Sequence, residues 1–591
     1  MNEFEEIDVR FASFLERLAG GRDPILHSAA ALASQKTRAG HTCVELDSEL
    51  KPGMLLEQDF QQDTSSWVQA LRKSPVVGMP GDYKPLILDH AGRLYLHRYF
   101  EDQALVAKKV RAWCGPDPQY ADIPGLTREL DRLFAPLPEN ETDWQKVAAA
   151  TAVLRRFSVI SGGPGTGKTT IVARIVFLLL TLAKEKPPTI AITAPTGKAA
   201  ARLLESLGKE LGKLDIPKEL QDAIPSGSKT IHRLMGARFN SNQFLHHAKN
   251  PLHADILIVD EASMVDLALM ARLMEALPDH AKLILLGDKD QLASVGPGSV
   301  MGDICSGPGA RCFSPEWSRT ITKVTGQKVQ QEDGLPPIAD SIVHLTKNYR
   351  FSKDSGIGEL ARFVVEGDVA GAVESLHQGR EIIYSPVSNP QSLPPLLAAP
   401  LKEGFSQYME ASTPREALEK FTGFRILCGV RQGPWGVNAA NSQVEAIFLQ
   451  EGVIRPQDFP WFEKRPVVIN RNDSEMELFN GDNGIHMAGQ VIFPGGQGEF
   501  RHYARSMLPA HDTAFAMTVH KSQGSEFTSV LLILPQENSP VLTRELLYTA
   551  ITRARSGLHI VGSLPSLRKA VQSPTHRPSG LQDALWAPDS E

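Results

Sequence analysis

The chain of 591 residues has few cysteines, no long hydrophobic run and no basic N-terminus. Its five cysteines are odd in number and include no Cys-x-x-Cys pair, which argues against a disulfide framework and against a typical zinc or iron–sulfur site. The longest strongly apolar run, residues 175–183, is too short to span a bilayer. Because residues 1–6 are acidic where a secretory signal would be basic, we expect a cytoplasmic protein that does not enter a membrane.

An excess of basic charge is also missing from this sequence. Lysine and arginine total 62 against 68 acidic residues, a formal net charge of −6 that excludes a globally basic nucleic-acid coat but not a local basic groove. Hydrophobic residues make up 42% of the chain and charged residues 22%, as is ordinary for a folded protein with a large core. We find no internal repeat, and the length indicates roughly four domains at about 150 residues each.

The order of apolar runs and breaks divides the chain into four regions. Residues 1–138 form a mainly helical N-terminal region with a predicted hairpin around residues 89–92, and a Pro-rich acidic link follows it. In residues 139–344, short apolar runs at 157–160, 189–193, 255–259 and 282–286 alternate with helical stretches, which predicts βαβ units on a parallel sheet.

A second α/β pattern covers residues 345–565 and contains a β-rich interlude near residues 466–500. Residues 297–344 are rich in Gly, Pro, Ser and Gln, and we expect a long insertion or mobile loop there. The Pro- and Ser-rich residues 566–591 are predicted to be a flexible tail.

A phosphate-binding motif follows the predicted strand at residues 157–160. The sequence GGPGTGKT at residues 162–169 matches G-x-x-x-x-G-K-[ST], and it lies between a strand and an apolar helix, as a P-loop requires. Lys168 would reach the β- and γ-phosphates of ATP, and the Thr169 hydroxyl would hold Mg²⁺. The bland alternative is a glycine-rich turn without a ligand. The predicted nucleotide-binding residues of this motif are Gly162, Gly163, Pro164, Gly165, Thr166, Gly167, Lys168, Thr169 and Thr170.

Polar side chains follow two further predicted strands. Asp260 would hold Mg²⁺ opposite Thr169, and Glu261 would orient or deprotonate the attacking water. Gln291 lies where its amide could sense the γ-phosphate and report its loss to a neighbouring domain. The alternative readings are a solvated turn for the carboxylates and an ordinary polar loop for Gln291.

Six motifs in order along the chain resemble the motifs of superfamily 1 helicases. They occupy residues 162–169, 260–263, 287–291, 348–350, 519–524 and 548–553. Within that superfamily the chain is similar to the RecD family, the alpha subunits of exodeoxyribonuclease V. Two details favour this family: no aromatic residue follows Gln291, and residues 230–236 resemble a RecD-type DNA-contact motif.

The resemblance implies a fold and a set of site residues. The fold is α/β, with two RecA-like P-loop NTPase motor domains, a small SH3-like β-barrel inserted near residues 466–500, and a mainly helical N-terminal domain that docks on a partner. ATP would bind between the motor domains, with Gln145 reading the adenine edge. Arg350 and Arg553 would act as arginine fingers. Lys521 and Gln523 would couple nucleotide state to the grip on DNA.

The resemblance also implies binding of single-stranded DNA from duplex ends. Hydroxyls, imidazoles and amides suit phosphate contacts that position a strand without reading its sequence. The candidate DNA-binding residues are Thr196, Lys198, Thr230, His232, Thr518 and His520.

The implied function is that of an ATP-dependent 5′→3′ DNA helicase in a RecBCD-type helicase–nuclease that processes double-strand breaks for homologous recombination. RecB-like and RecC-like subunits would complete a heterotrimer and would carry the nuclease centre, since no such centre is visible in this sequence. One alternative is a stand-alone RecD-like 5′→3′ helicase, and another is a non-motor interaction subunit.

Overall fold

The computed structural model describes residues 4–587 except 50–63, 139–140, 185, 215, 226, 239–240, 242, 353–354, 379–380, 474 and 496–498. The chain divides into two compact units. The first unit comprises Met1–Lys289, Ala293–Asn348 and His576–Glu591, and the second comprises Asp290–Leu292 and Tyr349–Thr575. Among the helices in the described ranges, none is long and apolar enough to cross a bilayer.

The N-terminal part of the first unit combines helices with a four-stranded sheet of order β1-β4-β3-β2. The predicted hairpin around residues 89–92 is confirmed, with Ile87 paired antiparallel to Tyr95. The strands are β1 Cys43–Glu45, β2 Val77–Gly78, β3 Leu86–Leu88 and β4 Arg93–Leu96. The helices are α1 Glu6–Ala19, α2 Pro24–Arg38, α3 Leu46–Glu49, α4 Thr64–Lys73, α5 His97–Trp113 and α6 Ile123–Leu133.

The predicted parallel sheet of the first unit is confirmed and has the order β10-β5-β9-β8-β6-β7. Its central strands are buried on both faces because their sequences are almost wholly apolar. The strands are β5 Phe157–Gly162, β6 Ile190–Ala194, β7 Lys229–Thr230, β8 Ile256–Val259, β9 Lys282–Gly287 and β10 Ile342–Leu345. The helices around them are α7 Trp144–Leu154, α8 Lys168–Thr181, α9 Gly197–Leu211, α10 Lys218–Gln221, α11 Ile231–Leu234 and α12 Leu267–Ala276.

Of the two alternatives predicted for residues 297–344, a long insertion or a mobile loop, the mobile loop is wrong. The segment folds into α13 Val300–Cys305 and α14 Pro315–Thr325 before it enters β10. Its polar residues are used internally: Asp340 accepts hydrogen bonds from the Ser314 amide (2.7 Å) and from Arg155 Nη2 (2.8 Å). Composition suggested a loop because these capping and pairing roles depend on residues far away in the sequence.

The prediction of a flexible tail is wrong for residues 566–587. Residues 566–572 belong to α21 Leu564–Gln572, and α22 Leu581–Trp586 packs on α5 and α13 in the first unit. We call residues 576–587 the C-terminal strap. Its Arg577 Nη1 donates to the carbonyls of residues 294, 296 and 298 at 2.8, 3.1 and 3.1 Å, and Trp586 Nε1 donates to the Ile304 carbonyl at 3.2 Å. Buried Leu581 and Trp586 therefore fasten a segment whose Pro and Ser content had indicated fraying.

The second unit contains a second parallel sheet, of order β11-β20-β19-β12-β18. Its strands are β11 Ile382–Pro386, β12 Phe424–Cys428, β18 Ala516–Thr518, β19 Phe527–Ile533 and β20 Ala554–Gly562. Its helices are α15 Gly356–Glu366, α16 Val369–Gln378, α17 Leu393–Glu410, α18 Pro414–Phe421, α19 Val437–Gln450 and α20 Arg544–Ile551, followed by α21.

An antiparallel sheet is inserted in the second unit between β12 and β18. It has the order β16-β15-β14-β13-β17, with β13 Pro466–Ile469, β14 Asn483–Met487, β15 Gln490–Pro494, β16 Phe500–Ala504 and β17 His511–Thr513. The predicted β-rich interlude is therefore present and extends to residue 513. Its closure into a barrel stays a prediction.

Candidate functional site

The phosphate-binding motif forms a tight loop between β5 and α8. The loop requires left-handed backbone at Gly165 (φ +86°) and Gly167 (φ +83°), a conformation that glycine adopts without a steric penalty. Thr166 Oγ1 donates to the Gly163 carbonyl at 2.8 Å and closes the turn. Helix α8 begins within the motif, at Lys168, so its N-terminal amides face the loop.

Lys168 lies across the loop. Its ammonium donates to the carbonyls of Gly162 and Gly163, the latter at 3.1 Å. A phosphate oxygen is a stronger partner for an ammonium than a neutral carbonyl, because the bond is charge-assisted on both sides. The geometry therefore keeps a phosphate-binding cation within the loop.

Two amide side chains brace the loop from outside. Gln145 Nε2 donates to the Thr166 carbonyl at 2.9 Å, while Asn348 Nδ2 donates to the Pro164 carbonyl at 2.8 Å. The structure thus gives Gln145 a bracing contact, and its predicted adenine contact stays a prediction. Asn348 was not among the predicted site residues, although it is the first residue of the motif at residues 348–350.

The predicted carboxylates follow β8 at the same edge of the sheet as the loop, because β5, β9 and β8 are parallel neighbours. Glu261 has left-handed backbone (φ +51°), which is unusual for a non-glycine residue, and its amide donates to Asp260 Oδ1 at 2.9 Å. Burial and the neighbouring Glu261 carboxylate raise the pKa of Asp260 to about 6, and the Lys168 charge opposes them. Asp260 is therefore electrostatically linked to the lysine of the loop.

Gln291 groups with the second unit, although the residues on either side of Asp290–Leu292 belong to the first. Its neighbour Leu292 is anchored by buried hydrogen bonds. The Leu292 amide donates to Thr549 Oγ1, and Gln523 Nε2 donates to the Leu292 carbonyl, both at 2.9 Å. The predicted coupling residue Gln523 therefore holds the segment that carries Gln291.

The two predicted arginine fingers have different surroundings in the second unit. Arg350 forms an ion pair with Glu526, which also binds Arg555 at 2.7 Å. Arg553 is 3% exposed; its Nε donates to the Thr549 carbonyl at 3.1 Å and its Nη1 to the Ser525 carbonyl at 3.2 Å. Arg553 Nη2 is buried and has no hydrogen-bond partner among the described residues. A buried guanidinium with an unused donor suits an incoming anion.

The predicted DNA-contact threonines all cap short turns or helices. Thr196 Oγ1 accepts from the Ala199 amide (3.2 Å), Thr230 Oγ1 from the Arg233 amide (3.3 Å), and Thr518 Oγ1 from the Lys521 amide (3.3 Å). Each hydroxyl can still donate its own hydrogen to a phosphate oxygen. Lys198 and His232 are exposed nearby in the sequence, and His520 begins the short turn after Val519.

Lys521 joins the inserted sheet to the loop after β18. Its ammonium donates to Asn470 Oδ1 at 3.2 Å, just beyond β13. Burial and the repulsion of Arg431 lower the pKa of Lys521. The structure therefore places both predicted coupling residues, Lys521 and Gln523, in side-chain contacts with other segments of the second unit.

The loop of residues 162–169, the carboxylates after β8 and the two parallel sheets define a P-loop NTPase with two RecA-like domains, which binds a nucleotide. Three family models match the chain: an AAA domain at residues 145–297, the N-terminal domain of RecBCD enzyme subunit RecD at 1–95, and a UvrD-like helicase C-terminal domain at 513–561.

Two RecD subunits align with almost the full length of the chain, and a RecD2 helicase aligns with part of it. The RecBCD enzyme subunit RecD of Mycolicibacterium smegmatis is 35% identical over 98% of this chain and 97% of that protein. The RecBCD enzyme subunit RecD of Haemophilus influenzae is 33% identical over 94% and 92%. The ATP-dependent RecD2 DNA helicase of Deinococcus radiodurans is 29% identical over 69% of this chain but only 47% of that protein. The chain belongs to the RecD family of RecBCD enzyme subunits.

Proposed function

We propose that this chain is the ATP-dependent 5′→3′ DNA helicase subunit of a RecBCD-type helicase–nuclease that acts on double-strand breaks in the cytoplasm. It would bind single-stranded DNA and assemble with RecB-like and RecC-like subunits, which carry the nuclease centre. Two observations, one in each unit, carry the motor assignment: Lys168 lies in a formed P-loop, and the buried Nη2 of Arg553 has no partner among the described residues.

In this proposal, Arg553 and Arg350 act on the triphosphate that Lys168 binds. Charge builds up on the oxygens of the transferring phosphoryl group, and arginines placed to meet it accelerate transfer by roughly 10³–10⁵-fold. Arg553 is held by two backbone carbonyls that fix its plane, whereas Arg350 must leave or share Glu526. Glu261, next to Asp260, would orient the attacking water.

The residues also fit a magnesium ion. Thr169 and Asp260 supply a hydroxyl and a carboxylate oxygen, the hard ligands that Mg²⁺ prefers, and the raised pKa of Asp260 shows that its negative charge is poorly compensated by the protein alone. When bound, Mg²⁺ would neutralise charge on the β- and γ-phosphates.

Directional movement requires that DNA affinity change with nucleotide state. The capping hydroxyls of Thr196, Thr230 and Thr518 provide phosphate contacts that can be made and broken without reading sequence. The 5′→3′ direction rests on the RecD family membership.

Two observations favour a complex subunit over a stand-alone helicase. The chain aligns with 97% of a RecBCD RecD subunit but with only 47% of the RecD2 helicase. Helix α1 also presents an apolar face, with Ile7, Phe14 and Leu18 each more than half exposed (58, 52 and 54%). An exposed apolar face of this kind is typical of a protein–protein interface.

The partner-docking proposal is best tested by substitutions on that face, because α5 packs into the motor core and deletion of residues 1–138 would disrupt it. We expect F14S/L18S to reduce co-purification of the partner subunits while ATP hydrolysis persists. Tyr83→Ser is the matched control, since Tyr83 is 95% exposed but lies off α1. Full retention of partners by F14S/L18S would contradict docking through this face.

The motor proposal is tested by strand displacement on duplexes with a 5′ or a 3′ overhang, using the chain alone and with its partners. Wild type should unwind from the 5′ overhang, and Lys168→Gln should lower ATP hydrolysis by about 10²–10³-fold because a preorganised phosphate ligand is lost. Unwinding from 3′ overhangs alone would refute the polarity, and undiminished activity of Lys168→Gln would refute the nucleotide site.

A further inference from the structure

Both backbone polar groups of Leu292 are held by side chains from distant positions. The amide donates to the hydroxyl of Thr549 on α20, and the carbonyl accepts from the amide of Gln523. All three residues are buried, with Thr549 at 0%, Gln523 at 6% and Leu292 at 8% exposure. The Leu292 side chain also belongs to the hydrophobic cluster that contains Leu427 and Val519. The segment that follows Gln291 is therefore fixed within the second unit.

Thr549 also makes a hydrogen bond through its backbone carbonyl. Its carbonyl accepts from Arg553 Nε at 3.1 Å, so its hydroxyl and its carbonyl link the neighbour of Gln291 to an arginine. A threonine inside a helix usually returns its hydroxyl to a carbonyl of its own preceding turn. Thr552 on the same turn does so, donating to the Tyr548 carbonyl at 2.9 Å, whereas the Thr549 hydroxyl accepts from an amide 257 positions away.

We propose that Thr549 is a positioning residue that fixes the Gln291 segment to helix α20, so that a displacement at Gln291 is transmitted to Arg553 and Gln523. The inference rests on the proposed motor function and deepens it, by naming the contact through which the γ-phosphate sensor and the arginine share one rigid network. Such coupling requires that the network move as one piece. We expect it to do so because buried hydrogen bonds without alternative partners are costly to break.

The test compares the stimulation of ATP hydrolysis by single-stranded DNA in the complex with its partner subunits. Thr549→Val keeps the side-chain volume but leaves the Leu292 amide buried without an acceptor, and we expect the stimulation to fall about tenfold. Thr549→Ser restores the hydroxyl and should keep most of the stimulation. Thr325→Val is the matched control: Thr325 is 3% exposed on α14, and its hydroxyl bonds only locally among the hydrogen bonds described, donating to the Ile321 carbonyl and accepting from the Gln327 amide.

A second readout does not depend on activity. Hydrogen exchange of the Leu292 amide should be slow in wild type and Thr549→Ser, and faster in Thr549→Val. If Thr549→Val does not fold, Gln523→Met removes the partner of the Leu292 carbonyl and should lower the DNA stimulation in the same way. The Thr549→Val and Gln523→Met effects should not add, because both act on one backbone segment.

Stimulation by DNA in Thr549→Val equal to that in Thr325→Val would overturn the proposal, and so would an equal loss in Thr549→Ser, which would point to methyl packing. Full stimulation in Gln523→Met would also overturn it. Failure of the proposed function itself is recognised separately: wild type would then hydrolyse ATP no faster than Lys168→Gln.

Discussion

Strand β5 of the first unit and strand β20 of the second both lie inside parallel sheets, yet the candidate residues sit at opposite ends of them. The phosphate loop follows the carboxyl end of β5, and Asp260 follows the carboxyl end of β8. Arg553 and Glu526 instead precede the amino ends of β20 and β19, whose first residues Ala554 and Phe527 are paired. One sheet type therefore serves two chemistries, phosphate binding at one edge and cation placement at the other.

The amino edge of the first sheet also carries a buried cation, and its contrast with Arg553 is instructive. Lys282, at the start of β9, is 2% exposed, and its ammonium donates to three carbonyls at the end of α7, including Val153 at 2.9 Å. Asp117 lies 3.1 Å from it, and burial lowers the pKa of Lys282 to about 8. The ammonium of Lys282 is fully used, whereas Arg553 Nη2 has no partner in the part of the chain that the structure describes, so burial alone does not mark a functional cation.

Of the substitutions proposed here, Arg553→Ala should have the largest effect on ATP hydrolysis. A small effect would contradict the distinction drawn between Arg553 and Lys282. We expect kcat for ATP hydrolysis to fall by roughly 10³-fold, with little change in nucleotide affinity, because the lost charge acts mainly on the transferring phosphoryl group. Arg555→Ala is the control, since Arg555 lies two positions further along the chain but is exposed, and it binds Glu526 instead of the carbonyls that hold Arg553. Equal kinetic losses in the two variants would show that general positive charge, and not the placement of Arg553, matters.

Lys282→Met should affect stability and spare catalysis. Removing a buried ammonium leaves three carbonyls and the Asp117 carboxylate without their partner, which costs about 3–5 kcal/mol of the free energy of unfolding. Denaturant titration measures the loss, and kcat per folded molecule should be unchanged. A selective loss of kcat with normal stability would place Lys282 among the functional cations.

Asp260→Asn should lower activity while it raises stability, and it should give the smallest change in the free energy of unfolding. The pKa of Asp260 is raised to about 6 from 3.8, so ionised Asp260 lowers the stability of the fold, and this penalty develops as the pH rises from about 4 to 6. The asparagine variant should therefore lose ATPase activity yet gain about 1–3 kcal/mol in unfolding free energy at pH 8.

Wild-type kcat/KM should fall as the pH drops below 6, because protonated Asp260 binds Mg²⁺ poorly. The stability gain of Asp260→Asn should shrink over the same pH range. A variant no more stable than wild type at pH 8 would show that the Asp260 charge is compensated within the fold.

The strands of the first sheet and the residues from 162 to 169 were predictable because their signals are local: a short apolar run, then glycines, then a helix. The contacts that Arg553, Lys282 and Asn348 make were not predictable, since each depends on carbonyls or side chains elsewhere in the folded chain. The same reason explains the errors at residues 297–344 and 566–587. Asp340 and Trp586 find their partners only in the folded chain, and composition cannot show them.

The C-terminal strap has a consequence for biosynthesis. Arg577 binds the carbonyls of residues 294, 296 and 298, and the Thr42 hydroxyl donates to the Pro578 carbonyl at 3.0 Å. Residues up to 587 must therefore have emerged from the ribosome before the first unit can adopt its final packing. Most of that unit is nevertheless synthesised first, because it lies in the N-terminal part of the chain. Until then, the surface that receives Trp586 is exposed, and a chaperone or a partner subunit waiting at the ribosome would meet it in that state.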